Sequence, residues 1–288
     1  MVRNKKNKFL KNKRIYQVDI TDSKQIELFS RECQKVDVII SCIGSQTGGV
    51  TEAWRVEYQA NKNLLNLALK HKIDQFILLS AICVQKPKLE FQYAKIAFEN
   101  LLIGSSIDYT IIRATAFFKS LSGQIRNLKN GKKFIYFDSG ESTSCKPISQ
   151  RDLALYIVQC IGVDSSINKI FPIGGPGPAI TPRQIGFLLF KLLKREPQFR
   201  SIPSKLFTFA EKSLAPLTLF SNKAKNTQQF IKIAGYYAKE SMLVFDYKTM
   251  RYDANLTPEF GEDTLENHYA NLINASDMDD ELGAHKLF

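Results

Sequence analysis

Lys95 lies on a stretch patterned as an amphipathic helix, with Phe91 four residues before it and Phe98 three residues after. Residues three and four apart share a helix face, so a lysine between two large apolar side chains is read as leaning inward. An ammonium held there can donate hydrogen bonds to a nucleotide ribose and lower the proton affinity of its surroundings. Before it comes Leu79-Ser80-Ala81-Ile82-Cys83-Val84-Gln85-Lys86-Pro87, and after it Tyr109-Thr110-Ile111-Ile112-Arg113 leads into Ala114 and Thr115. Asp19 and Ser41-Cys42-Ile43-Gly44 also follow short apolar runs. Ligands of an open parallel sheet bind outside the carboxyl ends of its strands, where all four groups stand. A dinucleotide laid along that edge meets Asp19 beside the adenine, Gly44 where backbone must approach closely, and Ser80 near the nicotinamide. Any one of these residues fits an ordinary small polar loop; four together point to a site.

Other candidates carry less. Position 91, where a phenol acid would stand four residues before Lys95, holds phenylalanine, and two helical residues of rotation turn Tyr93 to roughly the opposite side. Ketone reduction is thereby disfavoured, and an alkene fits better. Cys83 reads either as a proton donor or as a packed thiol, with packing ahead because no basic neighbour is evident. Gly174-Gly175-Pro176-Gly177 lacks the strand-to-helix glycine spacing of a phosphate loop and reads as a turn. His71, His268 and His285 form no constellation, and no metal site is expected. Asp152 reads as a helix cap.

The elements that must position these residues alternate in the first half of the chain. Arg14 to Val18 is strand-like, and Thr21/Asp22 offer a helix cap. Val36 to Ser41 is a continuous apolar strand of the kind buried on both faces, followed by a helix from about Thr51 to His71. Phe76 to Ser80 is a third strand, about Glu90 to Leu102 a helix, and Tyr109 to Arg113 a fourth strand. Strands spaced by helices imply right-handed crossovers and a doubly wound parallel α/β sheet, Rossmann-like. Phe134 to Phe137 and Lys169 to Ile173 are further strands, with a helix from about Arg151 to Cys160. From Thr181 helical segments dominate, as expected of a helical cap. The expected organisation is a basic segment over 1–14, an incomplete dinucleotide-binding domain over 15–165, a cap over 166–270 and an acidic tail over 271–288.

Composition bounds the reading. The 288 residues, 44% apolar, suffice for one large domain or two lobes. Five scattered cysteines without a Cys-x-x-Cys pair support neither a disulfide framework nor a zinc site. The net charge of +12 is concentrated at Arg3, Lys5, Lys6, Lys8, Lys11, Lys13 and Arg14. Such a run suits anionic surfaces, yet no aromatic interleaving or nucleic-acid motif follows, so no nucleic-acid partner is expected. No apolar stretch approaches the roughly 20 residues that span a bilayer, and no apolar h-region marks a secretory signal.

Several longer stretches resemble the NADPH-dependent divinyl (proto)chlorophyllide 8-vinyl reductases, an atypical branch of the short-chain reductases close to isoflavone-reductase-like and NmrA-like proteins. They are Ser45 to Val50, Leu79 to Pro87, Thr115 to Leu121, Cys145 to Ser149, Pro172 to Gly177 and Tyr236 to Val244, and the resemblance runs from about Asp19 to Leu265. It implies reduction of the C8 vinyl of a magnesium tetrapyrrole to ethyl, with NADPH, in a plastid. Separately from the resemblance, Leu206 to Phe220 is the stretch at which peripheral contact with a thylakoid or envelope membrane is an open question of the sequence. On this resemblance Lys95 is catalytic. Arg3, Asp19, Cys42, Gly44, Ser80, Ala81, Arg113 and Thr115 hold the cofactor, with Arg3 reading the 2′-phosphate. Cys83, Gln85, Phe117 and Phe118 touch the substrate. Two departures stand out. Arg113-Ala114-Thr115 replaces Arg-Pro-Thr, and the family's opening strand and glycine-rich turn, whose N–H groups hold the pyrophosphate, are not in this sequence. Either the chain is a shortened version of an active reductase, or it is a non-catalytic Rossmann-like binding protein; weak or no activity is expected of the polypeptide as written.

Overall fold

The computed structural model describes residues 16–32, 35–219 and 221–275. Helix α1 (Ser23–Glu32) is capped by Asp22, whose carboxylate accepts from Lys24 N at 2.9 Å, as the sequence suggested. Strand β1 (Val38–Ser41) is followed by one continuous helical stretch in three parts: α2 (Val50–Ala53), a π turn (Trp54–Ala60) and α3 (Asn61–Lys70). Strand β2 (Gln75–Ala81) pairs in parallel with β1, Val38 opposite Gln75 and Ser41 opposite Leu78. Helix α4 (Glu90–Ile103) and strand β3 (Asp108–Ala114) follow the expected bounds closely. Helices α5 (Ile125–Lys129) and α6 (Gln150–Gln159) flank the short strand β4 (Phe134–Phe137), and β5 (Lys169–Ile173) completes a four-stranded sheet of order β1-β2-β3-β5.

The later part holds α7 (Pro182–Leu192), β6 (Phe199–Ile202), α8 (Lys205–Leu214), α9 (Asn222–Tyr237), β7 (Val244–Asp246), β8 (Arg251–Asp253) and α10 (Leu265–Asn274). Helices dominate it, as expected. It also contains three short strands the sequence did not announce: β6 pairs in parallel with β4, and β7 pairs antiparallel with β8. Three or four residues are too few for a two-residue alternation to stand out.

The chain forms two compact units. Of the described residues, one draws on the ranges 16–79, 90–111 and 161–169, the other on 80–89, 112–160 and 170–275. In the first, Ile26, Leu64, Leu65, Phe76, Phe98 and Ile111 form the core, with the Phe76 and Phe98 rings 5.7 Å apart. Each such fully buried aromatic is worth roughly 1.5–3 kcal/mol relative to exposure. In the second, Phe118, Phe134, Leu189, Phe190 and Tyr269 play that part. Its helix α7 starts at a capping box, Thr181 with Gln184, and has Pro182 in the first turn.

Two expectations are corrected. Tyr16 to Val18 is irregular rather than a strand, and Asp19 instead closes a tight turn with Thr21. Asp152 is not the cap of α6: Ser149 is, accepting from Asp152 N at 2.9 Å. The Asp152 carboxylate is buried and accepts from Glu262 N and Asp263 N at 3.1 and 2.9 Å.

Candidate active site

In the first unit a buried polar cluster forms at the end of β1. The hydroxyl of Ser41, last residue of that strand, donates to Asn61 Oδ1, and Asn61 Nδ2 donates to the Glu57 backbone carbonyl at 2.8 Å. Glu57 sits in the π turn, a rare winding that is frequent at functional sites. Its side chain is 3% exposed, and both oxygens are engaged. Oε1 accepts from Ser45 N at 2.8 Å and Ser45 Oγ at 2.9 Å; Oε2 accepts from Lys95 Nζ at 2.7 Å. Lys95 is thus directed inward, its side chain 14% exposed. Among the described residues Glu57 is its one hydrogen-bond acceptor, so two of its three N–H groups are left for another partner.

The loop after β1 is shaped by a second acid. Glu52 accepts from Gln46 N at 3.2 Å and Thr47 N at 2.9 Å, and also from the Thr47 hydroxyl. Burial opposes ionisation of Glu52, but the hydrogen bonds from Thr47 and Gln46 outweigh it and hold the carboxyl below the usual range. Cys42 and Gly44 lie exposed in this loop. A Cβ at Gly44 would have only Glu57 Oε1 near it, at 3.9 Å, so protein packing does not require the glycine there. Asp19 is exposed, its carboxyl held low by hydrogen bonds from the Thr21 hydroxyl and backbone N–H. Arg3 lies outside the described residues.

The second unit holds the remaining candidates. Ser80, near the end of β2, is 4% exposed, and its hydroxyl has no hydrogen-bond partner among the described residues. Ala81, half-buried, ends the strand. Cys83 is 1% exposed, and its carbonyl accepts from Tyr236 Oη at 3.1 Å. The Gln85 amide is taken up by backbone: Nε2 donates to Leu243 O, and Oε1 accepts from Phe245 N at 2.8 Å. Two of the sequence stretches that carried the resemblance, Leu79 to Pro87 and Tyr236 to Val244, therefore meet. Glu240 ties them further, accepting from Lys86 at 2.9 Å, from Lys88, and from Tyr252 Oη at 2.6 Å. Burial resists ionisation of Glu240, yet the hydrogen bonds from Lys88, Tyr252 and Lys86 bring its carboxyl down to about 2.

Arg113 is half-buried near the end of β3. Thr115 donates from N to Ile173 O at 2.9 Å and from its hydroxyl to Lys146 O. Phe117 bridges to Ile148, and Phe118 is buried with its ring 5.4 Å from that of His268. The Gly174 to Gly177 stretch is a packing device: a Cβ at Gly175 would fall 2.0 Å from Pro147 O, so no larger residue fits without moving backbone. Of the predicted residues, Lys95 and Gly44 are brought to the same carboxylate, and Cys83 and Gln85 to the same C-terminal segment. Glu57 and Glu240 escaped the sequence reading. Glu240 lay within a recognised stretch and Glu57 within a helix, but neither has a charged partner at helical spacing that would have signalled burial.

Comparison with known proteins identifies the family and the fold. Residues 1–163 match a family of NAD(P)H-binding domains. The divinyl chlorophyllide a 8-vinyl-reductase, chloroplastic, of Arabidopsis thaliana is 40% identical over 291 residues, covering 98% of this chain and 70% of the relative. Its counterpart in Cucumis sativus is 43% identical over 258 residues, 88% of this chain and 62% of that protein. The photosystem II assembly factor Ycf39 of Synechocystis is 25% identical over 152 residues, about half of each chain (52% and 46%). Among solved structures, an NADPH-dependent quinone oxidoreductase from Escherichia coli, complexed with NADPH, superposes with TM-score 0.64 at 17% identity, over 92% of this chain and 86% of that one, which shows the common fold. On the strength of 40% identity across nearly its whole length, the chain belongs to the divinyl chlorophyllide a 8-vinyl-reductase family.

Proposed function

We propose that this chain reduces the 8-vinyl group of divinyl chlorophyllide a, a magnesium tetrapyrrole, to ethyl with NADPH, in the chloroplast. The observation that carries the reading is the relationship to the Arabidopsis reductase over 98% of the chain. Two features fit a nicotinamide cofactor. The buried Ser80 hydroxyl has no partner among the described residues, and an unsatisfied buried polar group costs about 1–3 kcal/mol unless a ligand meets it. Lys95 is restrained through one N–H with two others left over. NADPH, when bound, supplies the hydride to one vinyl carbon, a proton adds to the other, and the products are the ethyl group and NADP⁺.

The chain's own residues then bind and orient. Lys95 holds the nicotinamide ribose hydroxyls, and Ser80 with Ala81 receives the nicotinamide. Asp19 takes the adenosine side, Cys42 and Gly44 let the nucleotide approach open backbone, Arg113 and Thr115 line the strand ends, and Arg3 reads the 2′-phosphate. Phe117, Phe118, Cys83 and Gln85 are assigned to the substrate side, with Phe117 the half-buried member and Gln85 fixed by Leu243 O and Phe245 N. Donor and acceptor alignment supplies most of the acceleration, because charge developing on the vinyl spreads into the conjugated ring. Leu206, Phe209 and Leu217 are exposed beside Lys205 and Lys212, a composition suited to peripheral contact with an anionic lipid surface.

The test is incubation of the chain with NADPH and divinyl chlorophyllide a. A blue shift of the pigment's Soret band supports the proposal. Absence of a shift, together with absence of NADPH binding by titration, supports a second reading, a non-catalytic role on a pigment–protein complex, which the partial similarity to a photosystem II assembly factor favours.

A further inference from the structure

We infer that Glu57 is a positioning residue that sets the geometry of Lys95 toward the nucleotide; the inference rests on the function proposed above. A lysine ammonium ends a flexible four-carbon stem, and its direction is defined only when something fixed engages part of its donor set. Glu57 does so from a rigid place. Its backbone is held in the π turn through Asn61, and Asn61 is in turn held by Ser41 at the end of β1. One carboxylate oxygen is fastened to Ser45 N and Oγ, which leaves the other to face Lys95 Nζ at 2.7 Å. A single acid therefore ties three elements: the loop after β1, the helix that follows it, and α4. Burial of the pair, 3% and 14% exposed, keeps water from loosening it. The π turn is part of the device, because its wider winding changes which residues of the helix share a face.

The experiment compares Glu57→Gln with the parent chain, titrating NADPH and divinyl chlorophyllide a separately while the melting temperature is followed. The expected result is a rise of at least about tenfold in the Kd for NADPH with the pigment Kd within about twofold of the parent, and Glu57→Asp falling between the two. An unchanged NADPH Kd overturns the inference. So does loss of affinity for both ligands in step with a falling melting temperature, which marks a purely structural role. Against the case that Glu57→Gln does not fold, the charge-preserving variants Glu57→Asp and Lys95→Arg are combined. A residue that acts through Lys95 gives a double variant whose NADPH Kd is close to that of the worse single variant, whereas simple multiplication of the two effects overturns the inference. A parent chain that binds NADPH but neither binds nor reduces the pigment sinks the proposed reaction while leaving Glu57 decidable on the cofactor. A parent chain that binds no NADPH overturns both.

Discussion

Glu57 in the first unit and Glu240 in the second are both buried carboxylates that accept from lysine, with side chains 3% and 6% exposed. Their surroundings differ. Glu240 is crowded by Lys86, Lys88 and Tyr252, and Lys86 also lies 4.5 Å from the centre of the Phe245 ring. This arrangement fastens the segment after β2 to the segment around β7 and β8. Among the described residues Glu57 meets the side chains of one lysine and one serine, and that lysine has two donors without an acceptor. One acid closes a structural clamp; the other, on the inference drawn above, positions a lysine toward the nucleotide. A buried ion pair by itself reveals neither role, because net stabilisation from such pairs is small and removal of one partner is costly in both. The visible difference among the described residues lies in the acid's partners: Glu240 gathers two lysines and a tyrosine from the segments it joins, whereas Glu57 meets one lysine and one serine.

That contrast can be broken experimentally. Glu240→Ala is expected to have the largest effect on stability, about 3–5 kcal/mol by denaturant unfolding, since it strands the partly buried Lys86 and the Tyr252 hydroxyl. A loss below about 1 kcal/mol would remove Glu240 from the clamp. Lys95→Met is expected to lower turnover about 10²-fold or more, a loss of alignment with a measurable but smaller change in melting; normal turnover would return Lys95 to a structural role.

The acid limb of stability sharpens the comparison next. Glu240 has a folded-state carboxyl depressed from 4.5 to about 2, so its contribution is fully present above pH 4.5 and is lost as pH falls through that interval. Unfolding curves between pH 5 and pH 2 should be less steep in pH for Glu240→Gln than for the parent. Ser80→Ala should act in the opposite sense to the clamp variants. Deleting an unpartnered buried hydroxyl is expected to stabilise the unliganded chain by about 1 kcal/mol while weakening NADPH binding. Loss of stability in that variant would mean that the hydroxyl is already satisfied. The smallest effect belongs to the exposed side of α8: Phe209→Ser, at a residue 72% exposed, should change stability by less than about 0.5 kcal/mol yet reduce co-sedimentation with phosphatidylglycerol vesicles.

Much of the fold was open to reading from the chain. The bounds of α4, β3, β4, α6 and β5 fall within one or two residues of those expected, because each has enough length or a clear enough apolar run for its period to show. The inward tilt of Lys95 followed from Phe91 and Phe98 alone. The strand read over Arg14 to Val18, of which Arg14 and Ile15 lie outside the described residues, misled because so short an apolar alternation carries little information, and Asp152 misled because an acid in a first turn resembles a cap whether or not its side chain points back to the helix.

Periodicity and spacing, then, were sufficient for the parallel α/β class, the inward lysine and the strand-end positions of Ser80 and Thr115, since these depend on neighbours a few residues apart. Which carboxylate meets which lysine was settled only on folding: Glu57 reaches Lys95 across 38 residues and Glu240 reaches Lys86 across 154. No local pattern encodes such a meeting, because it arises from burying apolar faces elsewhere, and the buried charges must then find partners wherever that packing has carried them.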